Sequence, residues 1–341
     1  MPTPPLDESA MRDAAARQAR LTKPAGSLGR LEDLSVCLAG MTGRLDPSLQ
    51  KAVVFTLAAD HGVSAEGVSA YPREVTAQMV LNFLRGGAAI NVLAREVGAR
   101  VVVADVGVDA DIPQHPDLRS VKVRKGTGSI ARGPAMTVDE ATSAIEVGRR
   151  LVGDEELDVA LTGDMGIGNT TASAAVICAL TGLDPAEVVG RGTGVDDAGL
   201  ERKLAAVRAA LKVNAAAIAS GPLPTLAAVG GLEIGGLAGV ILAAAEQRKP
   251  VIIDGFISGA AAMVAAAIEP AATGYMIASH RSHELGHAAV LERLGLQPLL
   301  DLDLRLGEGT GAALALPIVR AAVRLLNDMA TFDEAGVSDR A

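Results

Sequence analysis

Short apolar runs rich in valine, isoleucine and alanine recur along the chain, and most end in a glycine or a polar residue. Such runs are typical of buried parallel strands. Helical patterns lie between most of them, an alternation that predicts βαβ units with right-handed crossovers. The predicted strands are 52–59, 99–106, 121–123, 157–161, 250–254, 274–279 and 299–306. The pattern therefore predicts an α/β fold with a doubly wound, mostly parallel, Rossmann-like sheet.

Helical patterns occupy both ends of the chain. Residues 1–45 contain an alanine-rich segment after Asp7, a tight loop at 22–32 and a second helix. A long helical pattern covers 312–329. We expect 1–45 to form a small helical domain, joined by a C-terminal helix in 318–341, and 46–317 to form the Rossmann-like catalytic domain.

Polar residues follow several of the predicted strands. Asp60 and His61 follow the first strand, Asp254 ends a later one, and His280 follows another. Ligands of open α/β sheets bind at the carboxyl ends of the strands, so this pattern predicts a ligand cleft along one sheet edge.

Three glycine-rich loops could supply backbone N–H groups to a phosphate. They are 126–136, 163–171 and 190–197. The second loop matches neither the Walker A sequence nor GxGxxG, but it opens a helix and is a suitable phosphate cradle. Lys203 follows the third loop in the first turns of a helix, where a cation opposes the helix dipole, and this makes it a candidate ligand. Lys23 is either a phosphate contact or a solvated loop lysine.

A carboxylate stands in the glycine-rich turn Leu306-Gly307-Glu308-Gly309-Thr310-Gly311. Small neighbours let a ligand approach the backbone closely. Free N–H groups at the following helix start should hold the pKa of Glu308 down. Glu308 is our candidate catalytic base; the alternative is an ordinary acidic residue at a helix start.

Composition narrows the possible functions. The net charge is −9, with no tryptophan, 4 phenylalanines and 2 tyrosines, which disfavours nucleic-acid binding. Cys37 and Cys178 form no motif, and the first 20 residues lack signal-peptide features, so we expect a cytoplasmic protein with free thiols. The apolar stretches 226–245 and 251–268 carry acidic residues and glycines, and we interpret them as buried elements rather than membrane spans.

His283, Glu284 and His287 match the zinc-protease pattern H-E-x-x-H. On a continuous helix the two histidines could hold zinc with the glutamate as base. Gly286 weakens such a helix, and no convincing third ligand follows. We therefore expect no metal, and we prefer Ser282 or Arg281 as a substrate contact; a zinc-dependent hydrolase remains an alternative.

The ordered set of motifs resembles the nicotinate-nucleotide–dimethylbenzimidazole phosphoribosyltransferase family, which acts in cobalamin lower-ligand assembly. The motifs lie at 22–32, 58–63, 67–80, 163–171, 190–199, 230–239, 277–287 and 306–315. The resemblance implies transfer of a phosphoribosyl group from nicotinate mononucleotide to 5,6-dimethylbenzimidazole, giving α-ribazole 5′-phosphate and nicotinate. It also implies a homodimer without metal or cofactor. A non-catalytic nucleotide-binding protein is a further alternative.

The resemblance also implies roles for individual residues. Glu308 corresponds to the family's general base. The phosphate and ribose would be held by Gly166, Ile167, Gly192, Lys203, Ser282, Asp164 and Glu233. The benzimidazole would lie against Tyr71, Gln78, Met79 and Leu306. Some family members carry serine and glutamine where this chain has Tyr71 and Met79, so this chain departs from the family pattern at the benzimidazole site.

Overall fold

The computed structural model describes residues 2–192 and 194–338. Within them, one six-stranded sheet has the order β3-β2-β1-β4-β5-β6, and every neighbouring pair is parallel. The strands are β1 Ala52–Ala59, β2 Ala99–Gly107, β3 Leu118–Ser120, β4 Val159–Met165, β5 Val251–Ile253 and β6 Met276–Ala278. This is a doubly wound order whose direction reverses between β1 and β4, as the sequence predicts.

Helices cover the sheet and extend from it. They are α1 Glu8–Arg20, α2 Arg30–Thr42, α3 Val75–Leu84, α4 Ala89–Glu96, α5 Val138–Gly153, α6 Asn169–Thr181, α7 Pro185–Val188, α8 Asp197–Val213, α9 Ala215–Ile218, α10 Pro222–Val229, α11 Leu232–Glu246, α12 Phe256–Ile268, α13 His287–Leu294, α14 Thr310–Asp328 and α15 Phe332–Ala335.

The core is built from small aliphatic side chains, and this lets helices pack closely. Along the contact between α5 and α11, a Cβ atom on Gly148 would lie 2.7 Å from Val240 N, and one on Gly239 would lie 2.8 Å from the Ile145 carbonyl carbon. Both distances are shorter than real Cβ contacts, so this helix pair requires glycine at these two positions.

Two predicted strands are wrong. At 299–306, Leu300 forms a single bridge to His280, just after β6, and Leu299 N donates to the Ala278 carbonyl, but Asp303 has φ 55°, which interrupts an extended backbone. The edge strand is Leu118–Ser120, which pairs with β2; residues 121–123 are not a strand, although Val121 N and Val123 N donate to β2 carbonyls. The strand predicted at 157–161 lies at Val159–Met165 and so continues to the cleft.

The two apolar stretches questioned as membrane spans are buried elements, as predicted. Residues 226–245 divide into α10 and α11, and 251–268 divide into β5 and α12. Among the described residues, α14 alone is long and apolar enough to cross a membrane. Of the most apolar 18-residue stretch of α14, 56% is buried inside the protein, which is typical of a core helix.

The N-terminal helices pack on the C-terminal part of α14. Ala10, Ala14, Ala39 and Leu326 form a small buried cluster of their own. A separate helical domain from 1–45 and 318–341 remains a prediction, of which 339–341 and Met1 lie outside the described residues. α14 runs without a break through the predicted boundary, with Pro317 inside it.

Candidate active site

The Glu308 turn joins the end of the cleft to α14. Gly307, Glu308 and Gly309 all have positive φ, at 84°, 64° and 98°. A left-handed conformation is uncommon for a glutamate and is characteristic of functional turns. The Glu308 carbonyl accepts a hydrogen bond from Thr56 Oγ1 at 3.0 Å, and its N–H donates to the Asp164 carbonyl at 3.2 Å. Strands β1 and β4 therefore hold this turn on both sides.

The Glu308 side chain is buried, with 5% of its surface exposed. Its Oε2 accepts a hydrogen bond from Ile90 N at 3.2 Å, in the first turn of α4. Burial raises the pKa of Glu308, and the single N–H donor only partly opposes this. The expectation that the start of α14 lowers this pKa is wrong.

The start of α14 is instead occupied by Asp254. Its Oδ2 accepts from Gly309 N and its Oδ1 accepts from Ala312 N, both at 3.1 Å. Burial raises the pKa of Asp254 to about 7 in spite of these hydrogen bonds. The sequence pattern places Asp254 at a strand end, but its role as the cap of a helix 55 residues away depends on the folded chain.

Asp164 lies beside the Glu308 turn, near the end of β4. A Cβ atom on Gly307 would be 3.2 Å from its Oδ2, which also accepts a hydrogen bond from Asn169 Nδ2 at 2.9 Å. Burial, followed by the negative charges of Asp254 and Glu233, raises the pKa of Asp164 well above its usual value. The interior of the cleft is thus rich in carboxyl groups.

Glu233 pairs with a residue to which the sequence pattern assigns no function. His61 Nε2 lies 2.7 Å from Glu233 Oε1, and both side chains are fully buried. A Cβ atom on Gly166 would lie 3.4 Å from His61 Nε2, so the pair lies beneath the glycine loop after β4. The position of His61 directly after β1 is the feature of the sequence that could have indicated a functional role. Its partner Glu233 could not be predicted, because it lies 172 residues away in the sequence.

Most of the predicted phosphate and ribose ligands line one cleft at the carboxyl ends of β4 and β5, whereas Lys203 and Glu233 are not part of its lining. The lining includes Gly166, Ile167, Gly192, Ser282 and Arg305. The Ile167 N–H donates to Thr76 Oγ1 at 3.1 Å, so in this structure it is already engaged. Thr193, in the third glycine loop, lies outside the described residues.

Lys203, on α8, is buried behind the lining of this cleft. Its ammonium group donates to the Gly190 carbonyl at 2.8 Å and to Thr170 Oγ1 at 3.1 Å. A Cβ atom on Gly192 would lie 2.8 Å from Lys203 Nζ, so the ammonium group lies against the glycine loop. Burial lowers the pKa of Lys203 to about 8.

The residues proposed to contact the benzimidazole are less closely grouped. Leu306 lines the cleft and is 59% exposed. Gln78 and Met79 lie on α3, exposed and half-buried, and Tyr71 is exposed in the loop before it. Tyr71, Gln78 and Met79 do not line this cleft.

The zinc-hydrolase alternative is not favoured. Residues 283–286 are not helical, since α13 begins at His287. The side chain of His283 is 67% exposed and lies 3.8 Å from Asp303, whereas His287 is buried and its Nδ1 accepts a hydrogen bond from Ser282 N. Within 2–192 and 194–338, no group of three potential ligands is arranged for a metal.

Lys23 is neither solvated nor part of this cleft. It is 8% exposed, and its ammonium group lies 2.8 Å from Glu32 Oε1. It lines a separate pocket together with Phe332 and Ser338. Lys23 is therefore not a solvated loop lysine, and its role as a phosphate contact stays a prediction.

Comparison with known proteins adds to this geometry. A family model described as phosphoribosyltransferase matches residues 3–337. Nicotinate-nucleotide–dimethylbenzimidazole phosphoribosyltransferases from Chloroflexus aggregans and Desulforudis audaxviator are 60% and 56% identical to the chain; the matches cover 98% of it in both cases, and 96% and 95% of those proteins.

Solved structures agree with the sequence comparison. The crystal structure of the enzyme of this name from Thermus thermophilus matches with a TM-score of 0.92 and 49% identity, over 98% of this chain and all of that one. The parallel α/β fold of this chain is therefore that of the solved structure. The chain is a member of the nicotinate-nucleotide–dimethylbenzimidazole phosphoribosyltransferase family.

Proposed function

We propose that the chain transfers the 5-phosphoribosyl group of nicotinate mononucleotide to 5,6-dimethylbenzimidazole, with Glu308 as the general base. The observation that carries this assignment is the Glu308 carboxyl group, which is buried and accepts one backbone N–H. The products are α-ribazole 5′-phosphate and nicotinate. The reaction belongs to cobalamin lower-ligand assembly.

The chemistry requires a base at this point. One ring nitrogen of the benzimidazole attacks C1′ of the ribose while the bond between C1′ and the pyridinium nitrogen breaks. The proton on the other ring nitrogen passes to Glu308. A raised pKa suits this role, because a general base works best when its pKa lies near the operating pH.

The two substrates would occupy opposite sides of the Glu308 turn. Oε2 of Glu308 bonds to Ile90 on α4, and α4 follows directly after α3, which carries Gln78 and Met79. We assign the benzimidazole to that side, against Tyr71 and Leu306 at its edge. This assignment leaves the cleft of Gly192 and Lys203 to the nucleotide.

We assign the 5′-phosphate to the glycine loops. Backbone groups of Gly166, Ile167 and Gly192 and the Ser282 side chain would surround it, with Lys203 supplying positive charge. Occupation of this site requires the Ile167 N–H to exchange Thr76 for a phosphate oxygen. The attraction between a buried ammonium group and a phosphate is stronger than in water, because the local dielectric constant is low.

Asp164 and Glu233 would face the ribose. Cationic character develops at C1′ as nicotinate departs, and nearby carboxylates stabilise such charge. The hydrogen bond to His61 would hold the Glu233 carboxyl group in place beneath the glycine loop after β4.

The protein as a whole is proposed to be a cytoplasmic homodimer that uses neither metal nor cofactor. Sedimentation equilibrium at micromolar concentration measures the assembly directly, and a monomer mass would refute the dimer.

The activity is tested by mixing the purified protein with nicotinate mononucleotide and dimethylbenzimidazole and detecting α-ribazole 5′-phosphate by mass spectrometry. Folded protein that binds the nucleotide without forming product would refute the proposal and favour a non-catalytic binding protein. Glu308→Gln should lower turnover by about 10²–10⁴-fold while nucleotide binding persists. Glu96→Gln, on the exposed end of α4, is the matched control.

A further inference from the structure

An acidic side chain lies among the residues assigned to the phosphate. Glu284 lines the same cleft as Gly166, Gly192 and Ser282, and it is 8% exposed. Its backbone N–H donates to Ser282 Oγ at 3.4 Å. The phosphate assignment uses Ser282 and leaves the neighbouring carboxyl group without a role.

The Oε2 atom of Glu284 is buried and has no hydrogen-bond donor among the described residues. A Cβ atom on Gly190 would lie 2.5 Å from it, and the Gly190 carbonyl accepts a hydrogen bond from the Lys203 ammonium group. Arg305 also reaches this loop, through a hydrogen bond from Nη1 to the Gly192 carbonyl at 3.1 Å. The free acceptor is therefore beside the groups that would attract an anion.

A buried acceptor without a donor is costly, which suggests that a ligand supplies the donor. The N–H groups, the lysine and the arginine all favour an anion, yet a fully ionised anion offers only more acceptors. A phosphate monoester with one proton is an anion that still carries an O–H donor, because its second pKa is about 6. Sulfate at neutral pH has no such proton.

We propose that Glu284 Oε2 accepts a hydrogen bond from the O–H of a singly protonated phosphate, and that this contact makes Glu284 a specificity residue against sulfate and other unprotonated anions. The proposal rests on the proposed function, since it places the 5′-phosphate of the nucleotide in this cleft. A site built to bond a ligand's hydroxyl rejects analogues that lack it far more strongly than an apolar site does.

The test is competition calorimetry with nicotinate mononucleotide at about pH 6, where phosphate retains a proton. Inorganic phosphate should weaken nucleotide binding, and sulfate should need at least about a hundredfold higher concentration for the same effect. Equal competition by both anions, or competition by neither, overturns the inference. If the nucleotide itself does not bind, the proposed function fails instead.

Glu284→Gln provides the second arm, because a glutamine amide can donate to sulfate. The preference for phosphate over sulfate should fall to within about threefold in this variant. Glu292→Gln, at an exposed position on α13, should keep the wild-type preference. An unchanged preference in Glu284→Gln overturns the inference, and if that variant fails to fold, the wild-type comparison still decides.

Discussion

Replacing Gly163 by alanine should lower the activity strongly, because it displaces the turn that carries the proposed base Glu308. Gly163 lies in β4, and a Cβ atom there would be 2.6 Å from the Glu308 carbonyl carbon and 2.8 Å from Gly309 N. Ordinary contacts begin at 3.4 Å, so the turn must move by roughly 1 Å. Only backbone atoms are in the way, and they cannot rotate aside as a side chain can.

The expected loss follows from that displacement. A misplacement of about 1 Å costs roughly a hundredfold in rate, and overpacking of this kind costs about 1–3 kcal/mol of stability. The assay is steady-state kinetics with both substrates, together with nucleotide titration and thermal unfolding. Nucleotide affinity should fall less than turnover, because the atoms that the added Cβ displaces belong to the Glu308 turn. Gly153→Ala is the control, since a Cβ atom there meets nothing within 4 Å. Turnover within twofold of wild type in folded Gly163→Ala would refute the reasoning.

Three further changes test other parts of the structure. Lys203→Met should weaken nucleotide binding by about 10–100-fold, because a charge-assisted contact is lost. Since the pKa of Lys203 is about 8, the nucleotide affinity of wild type, measured by calorimetry, should fall as the pH rises through that value. The variant should lack this pH dependence. Burial lowers the pKa of His287 to about 3, so the unfolded chain takes up its proton first and stability falls below pH 6.5. Denaturant titration should therefore show that wild type loses up to about 2 kcal/mol more than His287→Asn between pH 7 and pH 5. His283→Ala should retain wild-type turnover with and without a chelator, because this exposed side chain holds no metal in our interpretation; loss of activity on chelation would contradict it.

The sheet could be predicted because its strands are buried on both faces. An unbroken apolar run such as Ala52–Ala59 identifies a strand without reference to its neighbours. The alternating pattern at 299–306 misleads because Leu302 and Leu306 are exposed, at 56% and 59%, instead of facing a core. Alternation specifies a strand only where another element covers one of its faces.

The active site could be predicted only where a residue's setting is local. Glu308 is recognisable from its own glycine-rich turn. His61 and Asp254 act through partners far away in the sequence, Glu233 and the start of α14. The direction of the pKa shift on Glu308 is also a property of the folded chain, because burial outweighs the nearby N–H group. Sequence therefore identifies the candidate base but not its ionisation behaviour.

The concentration of carboxyl groups in the cleft has a simple reason in the proposed reaction. Asp164, Asp254 and Glu308 all have raised pKa values, chiefly through burial, and the charges of Asp254 and Glu308 add to the rise at Asp164. A nucleotide with a pyridinium ring would bring a positive charge that relieves this repulsion. When nicotinate leaves as a neutral ring, that charge disappears from the substrate. The benzimidazole proton arrives on Glu308 in the same step, so the charge of the whole site stays constant as the bond is exchanged. The additional carboxyl groups would strengthen the attraction for the cation, whereas the raised pKa of Glu308 comes from its own burial.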